Sequence, residues 1–251
     1  MKKIILFCLL VSCSLFRAQV IGIDIDTSPS RSMNTGKDIL SSMFARYKQG
    51  PCPSYIFSQR NTHYRNDSIV GHSEWHEFIE FPDKFRINFG DSTKGNFVIF
   101  KNDSAYNYRN FNLKSRRYDA NTLLLLLGGM YYRPFDDVIT RLQKENYNTA
   151  VLSTQKLGKE SMYVIGAQKG DTLSNQVWVS KRDLRVVRII EKMDADSWMD
   201  MTFDSYQKHC KGFVETKVTF KRNGKKEQVE EYYNIKDVPS FPESLFDPQK
   251  K

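Results

Sequence analysis

Cysteine is scarce in this sequence, with four residues in 251, and two of them, Cys8 and Cys13, fall within the first twenty positions. Histidine is as rare, also four. After the N-terminal stretch there is no run of eighteen apolar residues, which argues against a later helical membrane span. No glycine-rich loop opens a helix, and no serine or cysteine stands in a nucleophile motif, so nothing indicates nucleotide-dependent or acyl-transfer chemistry. Internal repeats and low-complexity tracts are absent as well. These absences leave a single globular domain, no cofactor and a function that is not enzymatic.

The N-terminus carries an export pattern. Lys2 and Lys3 form a positive start, and residues 4–10 an apolar run too short to span a bilayer. The expected boundaries are a signal peptide at 1–19 and one domain at 20–251. A second reading stays open: Leu10-Val11-Ser12-Cys13 resembles a bacterial lipobox, which makes Cys13 a possible lipidation site and the protein envelope-anchored rather than free in the periplasm. Removal of Lys2, Lys3 and Arg17 takes the formal charge from +9 to about +6. Export excludes nucleic acid as a partner, and the modest basic excess suits an anionic envelope surface or solubility alone. Cys52 and Cys210 remain, either paired in an oxidising compartment or as two separate thiols.

Residues 34–48 carry Ile39, Leu40, Met43, Phe44 and Tyr47 on one helical face, opened by Thr35 and Asp38 in a capping-box arrangement. Strands follow at 55–64, 68–81, 84–89, 96–101 and 104–111, separated by Asn- and Asp-rich turns. Residues 121–127 and 134–146 read as helices, with Pro134 at a first helical position and Gly128-Gly129 between them. Tyr131-Tyr132 suits a lid edge. Strands resume at 150–155, 162–168, 176–180, 185–190, 198–207, 212–221 and 228–238, and Asn223-Gly224 marks a hairpin. The proline-rich tail, 239–251, is expected along the surface. So many consecutive antiparallel strands curl rather than stay flat. The expected fold class is α+β, mainly antiparallel β: a curved sheet or incomplete β-barrel with helices covering the concave face.

His72, Glu74 and His76 alternate on one strand face and are either a metal set or a solvated outer face. Asp194, Asp196, Asp200 and Asp204 lack the glycine turn and terminal glutamate of a calcium loop.

In combination, four segments resemble the LolA-like family of outer-membrane lipoprotein-sorting proteins, including its longer members. They are Glu77-Phe78-Ile79-Glu80-Phe81-Pro82-Asp83-Lys84-Phe85-Arg86; the hairpin Asn96-Phe97-Val98-Ile99-Phe100-Lys101-Asn102-Asp103-Ser104-Ala105-Tyr106-Asn107-Tyr108; Tyr163-Val164-Ile165-Gly166-Ala167 with Val177-Trp178-Val179-Ser180-Lys181; and Phe241-Pro242-Glu243-Ser244-Leu245-Phe246-Asp247-Pro248. The resemblance implies a half-barrel whose hydrophobic cavity takes acyl chains, with lipid or acylated lipoprotein as partner, an envelope location and a monomer. The expected lining is Met43, Phe44, Trp75, Ile79, Phe85, Ile87, Phe89, Leu124, Leu127, Met199, Met201 and Phe203. One departure stands out. Where the family usually has an arginine before the turn proline to latch the lid, this chain has Phe81 before Pro82. The alternative function is a structural or interaction protein of the envelope with a filled core and no lipid ligand.

Overall fold

The computed structural model describes residues 33–48, 50 and 52–249. The expected signal segment, 1–19, and Cys13 lie outside them. Helix α1 (Gly36–Tyr47) starts at a reciprocal cap: the Thr35 hydroxyl accepts from the Asp38 amide at 3.2 Å, while the Asp38 carboxylate accepts from the Thr35 amide at 3.0 Å. Its buried face is Ile39, Leu40, Met43 and Tyr47.

Six strands then run back and forth: β1 (Ser54–Arg65), β2 (Ser68–Glu80), β3 (Lys84–Phe89), β4 (Phe97–Lys101), β5 (Ser104–Arg109) and β6 (Asn112–Tyr118). A helical insert follows, α2 (Thr122–Leu126), a 3-10 turn at Gly129–Tyr132 and α3 (Phe135–Lys144). The chain returns through β7 (Leu152–Leu157), β8 (Glu160–Ile165), β9 (Gln176–Ser180), β10 (Val186–Lys192), β11 (Trp198–Asp204), β12 (Gln207–His209), β13 (Gly212–Val214), β14 (Lys217–Arg222) and β15 (Lys225–Asp237). Thirteen of these strands form one antiparallel sheet in the order β6-β5-β4-β3-β2-β1-β15-β14-β11-β10-β9-β8-β7, and β12 and β13 pair separately. The sheet is not closed: β6 and β7 are its two edges. The insert is the connection between those edges, so it crosses the sheet's inner face rather than extending the sheet. This is the curved, mainly antiparallel architecture expected from the sequence.

Hairpin turns set the register. Asn66-Asp67, Asn102-Asp103 and Asn223-Gly224 each carry two successive positive φ angles, the geometry that joins twisted strands in two residues. Asn110-Phe111 does the same and opens β6, a strand the sequence reading missed because Asn112–Tyr118 is exposed throughout and lacks a buried alternation. The expected strand at 104–111 is therefore a strand and a turn, and those at 198–207 and 212–221 each break in two. Pro134 caps α3 instead of standing inside it.

The tail runs along the outer surface of the sheet and is anchored there: Phe241, Leu245 and Phe246 pack on the outer face of β2, β4 and β5 against Phe78, Phe97, Ile99, Tyr106 and Tyr108. Phe246 is fully buried there. Arg86 belongs to this outer face: its guanidinium lies 3.9 Å from the Phe97 ring centre and donates to the Leu245 carbonyl at 3.0 Å.

Candidate functional site: a cavity beneath the helical insert

On one half of the inner face α1 and the insert fill the sheet. Ile39, Leu40, Met43, Leu125, Leu126, Met130, Val138, Ile139 and Leu142 interlock with Ile165, Val177, Val179, Val186 and Ile189. The other half is not filled. Between α2 and the strands β1, β2, β3, β11, β14 and β15 lies a cavity of about 550 Å³.

Eight of the twelve expected lining residues meet in this cavity: Ile79, Phe85, Ile87, Leu124, Leu127, Met199, Met201 and Phe203. The other four lie elsewhere. Met43 is locked into the solid core with no exposure, and Phe44 packs edge-on against Phe135 at 5.7 Å between ring centres. Trp75 and Phe89 hold each other edge to face at 5.0 Å, further along the strands. Helical periodicity correctly turns Met43 inward but cannot say that this part of the interior is solid.

The sequence reading missed the polar part of the lining. Glu77, Glu215 and Glu230 all face the cavity and are 5–7% exposed. Period-two alternation placed Glu77 between Trp75 and Ile79 on the inward face, so its position was legible; the carboxylate itself argued against burial. Burial pushes the Glu215 carboxyl up to about 8, helped by the charge of Glu230. Burial also raises Glu77, as do the charges of Glu230 and Glu215. Glu230 is raised by burial too, against hydrogen bonds that favour its anion. The Tyr232 hydroxyl donates to Glu230 Oε2 at 2.8 Å and the Gln228 amide to Oε1 at 2.7 Å. Tyr55, Phe57, Phe100 and Phe220 complete the aromatic wall.

The exposed rim is of mixed charge. Arg117 pairs with Asp119 at 2.7 Å, and the Tyr118 hydroxyl donates to Glu145 at 2.5 Å, joining edge strand β6 to the end of α3. Lys192 and Met193 stand opposite.

The insert is fastened by its own arginines. Arg133 reaches Asp83 in the β2–β3 turn at 3.3 Å and Asp137 at 3.2 Å. Arg141 reaches Asp103 in the β4–β5 turn at 2.7 Å. Phe81 stacks on Tyr132 with ring centres 5.5 Å apart. The position where the sequence departs from the expected arginine latch thus carries an aromatic contact to the same insert.

Cys52 and Cys210 form a disulfide with their Cα atoms 5.5 Å apart. His209 lies beside it, 2.5 Å from Asp237 and edge-on to the Tyr55 ring. Among the described residues Cys52, His209 and Asp237 are the one set of three candidate ligand groups within reach of a common ion, and the Cys52 sulfur is committed to the disulfide. His72, Glu74 and His76 do not converge in this way: Glu74 accepts from the Tyr233 hydroxyl at 2.6 Å and His76 meets Ser58 at 2.9 Å. Asp200 is taken up by a two-pronged pair with Arg188, both contacts at 2.7 Å.

No protein-family model matches the sequence, and no curated protein matches it. Solved structures do share its fold. A DUF1329 family protein from Desulfovibrio piger is 14% identical, with a TM-score of 0.58 over 84% of this chain and 95% of its own. A LolA superfamily protein from Nitrosomonas europaea is 12% identical, with a TM-score of 0.55 over 85% and 97%. A putative outer membrane lipoprotein-sorting protein domain from Vibrio parahaemolyticus is 14% identical, with a TM-score of 0.57 over 85% and 97%. The chain therefore has a LolA-like fold.

Proposed function

We propose that this is a non-enzymatic protein of the cell envelope that holds an acyl chain, from a lipid or a lipid-modified protein, in the cavity beneath the insert. One observation carries the reading: an unfilled space of about 550 Å³ walled by Ile79, Phe85, Ile87, Leu124, Met199 and Met201 in an otherwise tightly packed interior. That volume falls within the roughly 300–1,000 Å³ usual for ligand sites. Each methylene moved from water into such a wall contributes about 0.8 kcal/mol. Methionine lets the wall adapt to chains of different shape.

The export pattern at the N-terminus and the Cys52–Cys210 disulfide support an oxidising, periplasmic location, and lipidation at Cys13 would make the protein membrane-anchored. No helix of the described residues is long and apolar enough to cross a membrane. The fold shared with a putative lipoprotein-sorting domain supports a carrier role, with the insert as the element that opens.

Native mass spectrometry of the protein purified from its own envelope tests this. The expected result is an added mass of a lipid or acylated peptide that disappears on delipidation. A clean apo mass, together with no uptake of a neutral fluorescent lipid, would favour an interaction protein with a closed interior.

A further inference from the structure

Three carboxyl groups in an acyl-chain cavity are unexpected, because a hydrocarbon chain offers them nothing. Among the described residues, Glu77 and Glu215 have no side-chain hydrogen bond to another residue, although each is more than nine-tenths buried. A second group of different chemistry is in the same position. Among the described residues the Tyr55 hydroxyl likewise meets no hydrogen-bond partner, on the same cavity wall and with the residue 7% exposed. It lines the same cavity as Glu77 and Glu215, and the pairing of Phe57 with Glu77 and of Tyr55 with Ile79 sets it next along the inner face from Glu77. Buried polar groups without partners cost stability, and a cavity that keeps them in the open interior is built to satisfy them with something that enters.

The charge pattern says what that is. Among the described residues, the only cations lining the cavity are Arg117 and Lys192, both at the exposed rim, and Arg117 is already paired with Asp119. The deep wall therefore has three acids and no base. Resting on the acyl-chain reading above, we infer that the cavity selects an amphiphile with a cationic amine head, bound with its amine against Glu77, Glu215 and Tyr55 and its chain against the apolar wall. A fatty acid or phosphate-headed lipid would bring an anion into a deep wall that has no counter-ion and whose acids would have to keep their protons beside it. An ammonium group donates three hydrogen bonds, and its charge draws Glu215, protonated in the empty cavity at neutral pH, and the likewise raised Glu77 toward their carboxylate forms, the protons leaving to solvent.

The test is displacement of Nile red, an uncharged dye, by dodecanol, dodecylamine and dodecanoate at neutral pH and below their micelle concentrations. Dodecanol should displace the dye, and dodecylamine should do so at about a tenfold lower concentration than dodecanoate. The net positive formal charge, +9 for the full sequence and about +6 without Lys2, Lys3 and Arg17, makes this order the opposite of what its surface would favour. The Glu77→Gln/Glu215→Gln/Glu230→Gln variant should keep dodecanol binding and lose the amine advantage. Glu77→Gln alone should lose part of it, which covers the case of a misfolded triple variant. Equal competition by dodecanoate, or an amine advantage that survives these substitutions, would overturn the inference while leaving the acyl cavity standing. Failure of dye and dodecanol alike would remove the cavity reading and this inference with it.

Discussion

The ring of Phe81 stacks on the ring of Tyr132 at 5.5 Å, nearly parallel, and so joins the end of β2 to the helical insert. Gly128 lies on the same ring: a Cβ there would come within 2.2 Å of Phe81 Cζ. Phe81→Ala should remove the contact and cost about 3 kcal/mol, in the range for a buried aromatic. Urea unfolding measures that loss, and stopped-flow dye uptake should become faster. Unchanged uptake with reduced stability would mean the stack supports the fold but does not hold the lid.

Gly128→Ala tests the same contact from the other side. Overpacking against a ring held between the insert and Tyr55 should cost about 1–3 kcal/mol. The Phe81→Leu background should relieve part of it, because the smaller side chain leaves room for the added methyl. Simple additivity in a double-mutant cycle would show that the two positions do not communicate.

The polar fastening is expected to act on mobility more than on stability. Asp83→Asn with Asp103→Asn takes away charged partners of Arg133 and Arg141. Backbone amides in α2 and α3 should then exchange with deuterium faster, while those of β1 and β15 stay protected. Uniform acceleration across the sheet would indicate global destabilisation instead.

Reduction of the disulfide should be costly because Cys52 and Cys210 are 158 residues apart. Chain-entropy reasoning gives about 3–5 kcal/mol for so long a loop, or roughly 6–15 °C in Tm. The Cys52→Ser/Cys210→Ser variant should match the reduced protein in a calorimeter.

Glu215 makes stability depend on pH in an uncommon direction. Its carboxyl titrates at about 8 when folded and at about 4.3 when unfolded. Between those values the folded chain holds the extra proton, so stability is greatest at the acid end and falls as pH rises towards 8. Glu77 and Glu230 are raised too and steepen the fall. Glu215→Gln should flatten the curve and raise stability at pH 8 by about 2–4 kcal/mol, or roughly 5–15 °C. Melting curves at pH 5, 6.5 and 8 decide it; the same slope in both proteins would show that Glu215 is not ionised on unfolding.

What could be read from the sequence followed local rules. Thr35 and Asp38 announce the first helix because their cap is closed within one turn. The Asn-Asp and Asn-Gly pairs announce hairpins because positive φ is a property of those residues themselves. Alternation placed Ile79, Phe85 and Ile87 on the inward face, and all three line the cavity. Tyr55, Glu77 and Glu230 follow their strands' alternation, but residue type argued against burying the two carboxyls; Glu215 lies in the break between β13 and β14, where no alternation could place it.

The sequence by itself determined the strand succession, the turns, the helix caps and the faces that turn inward, since each depends on neighbours a few positions away. Only the tertiary structure decided where the interior is filled and where it is open. Met43 and Ile79 both turn inward by the period of their elements, yet Met43 is enclosed by the insert and the sheet while Ile79, packed with Leu124 of α2, also faces the open cavity. The pairing of β1 with β15 brings Glu230 to the same wall as Glu77, across more than 150 positions of chain. Burial, and with it the raised carboxyl groups and the inward Tyr55 hydroxyl, exists only once those distant segments line one cavity.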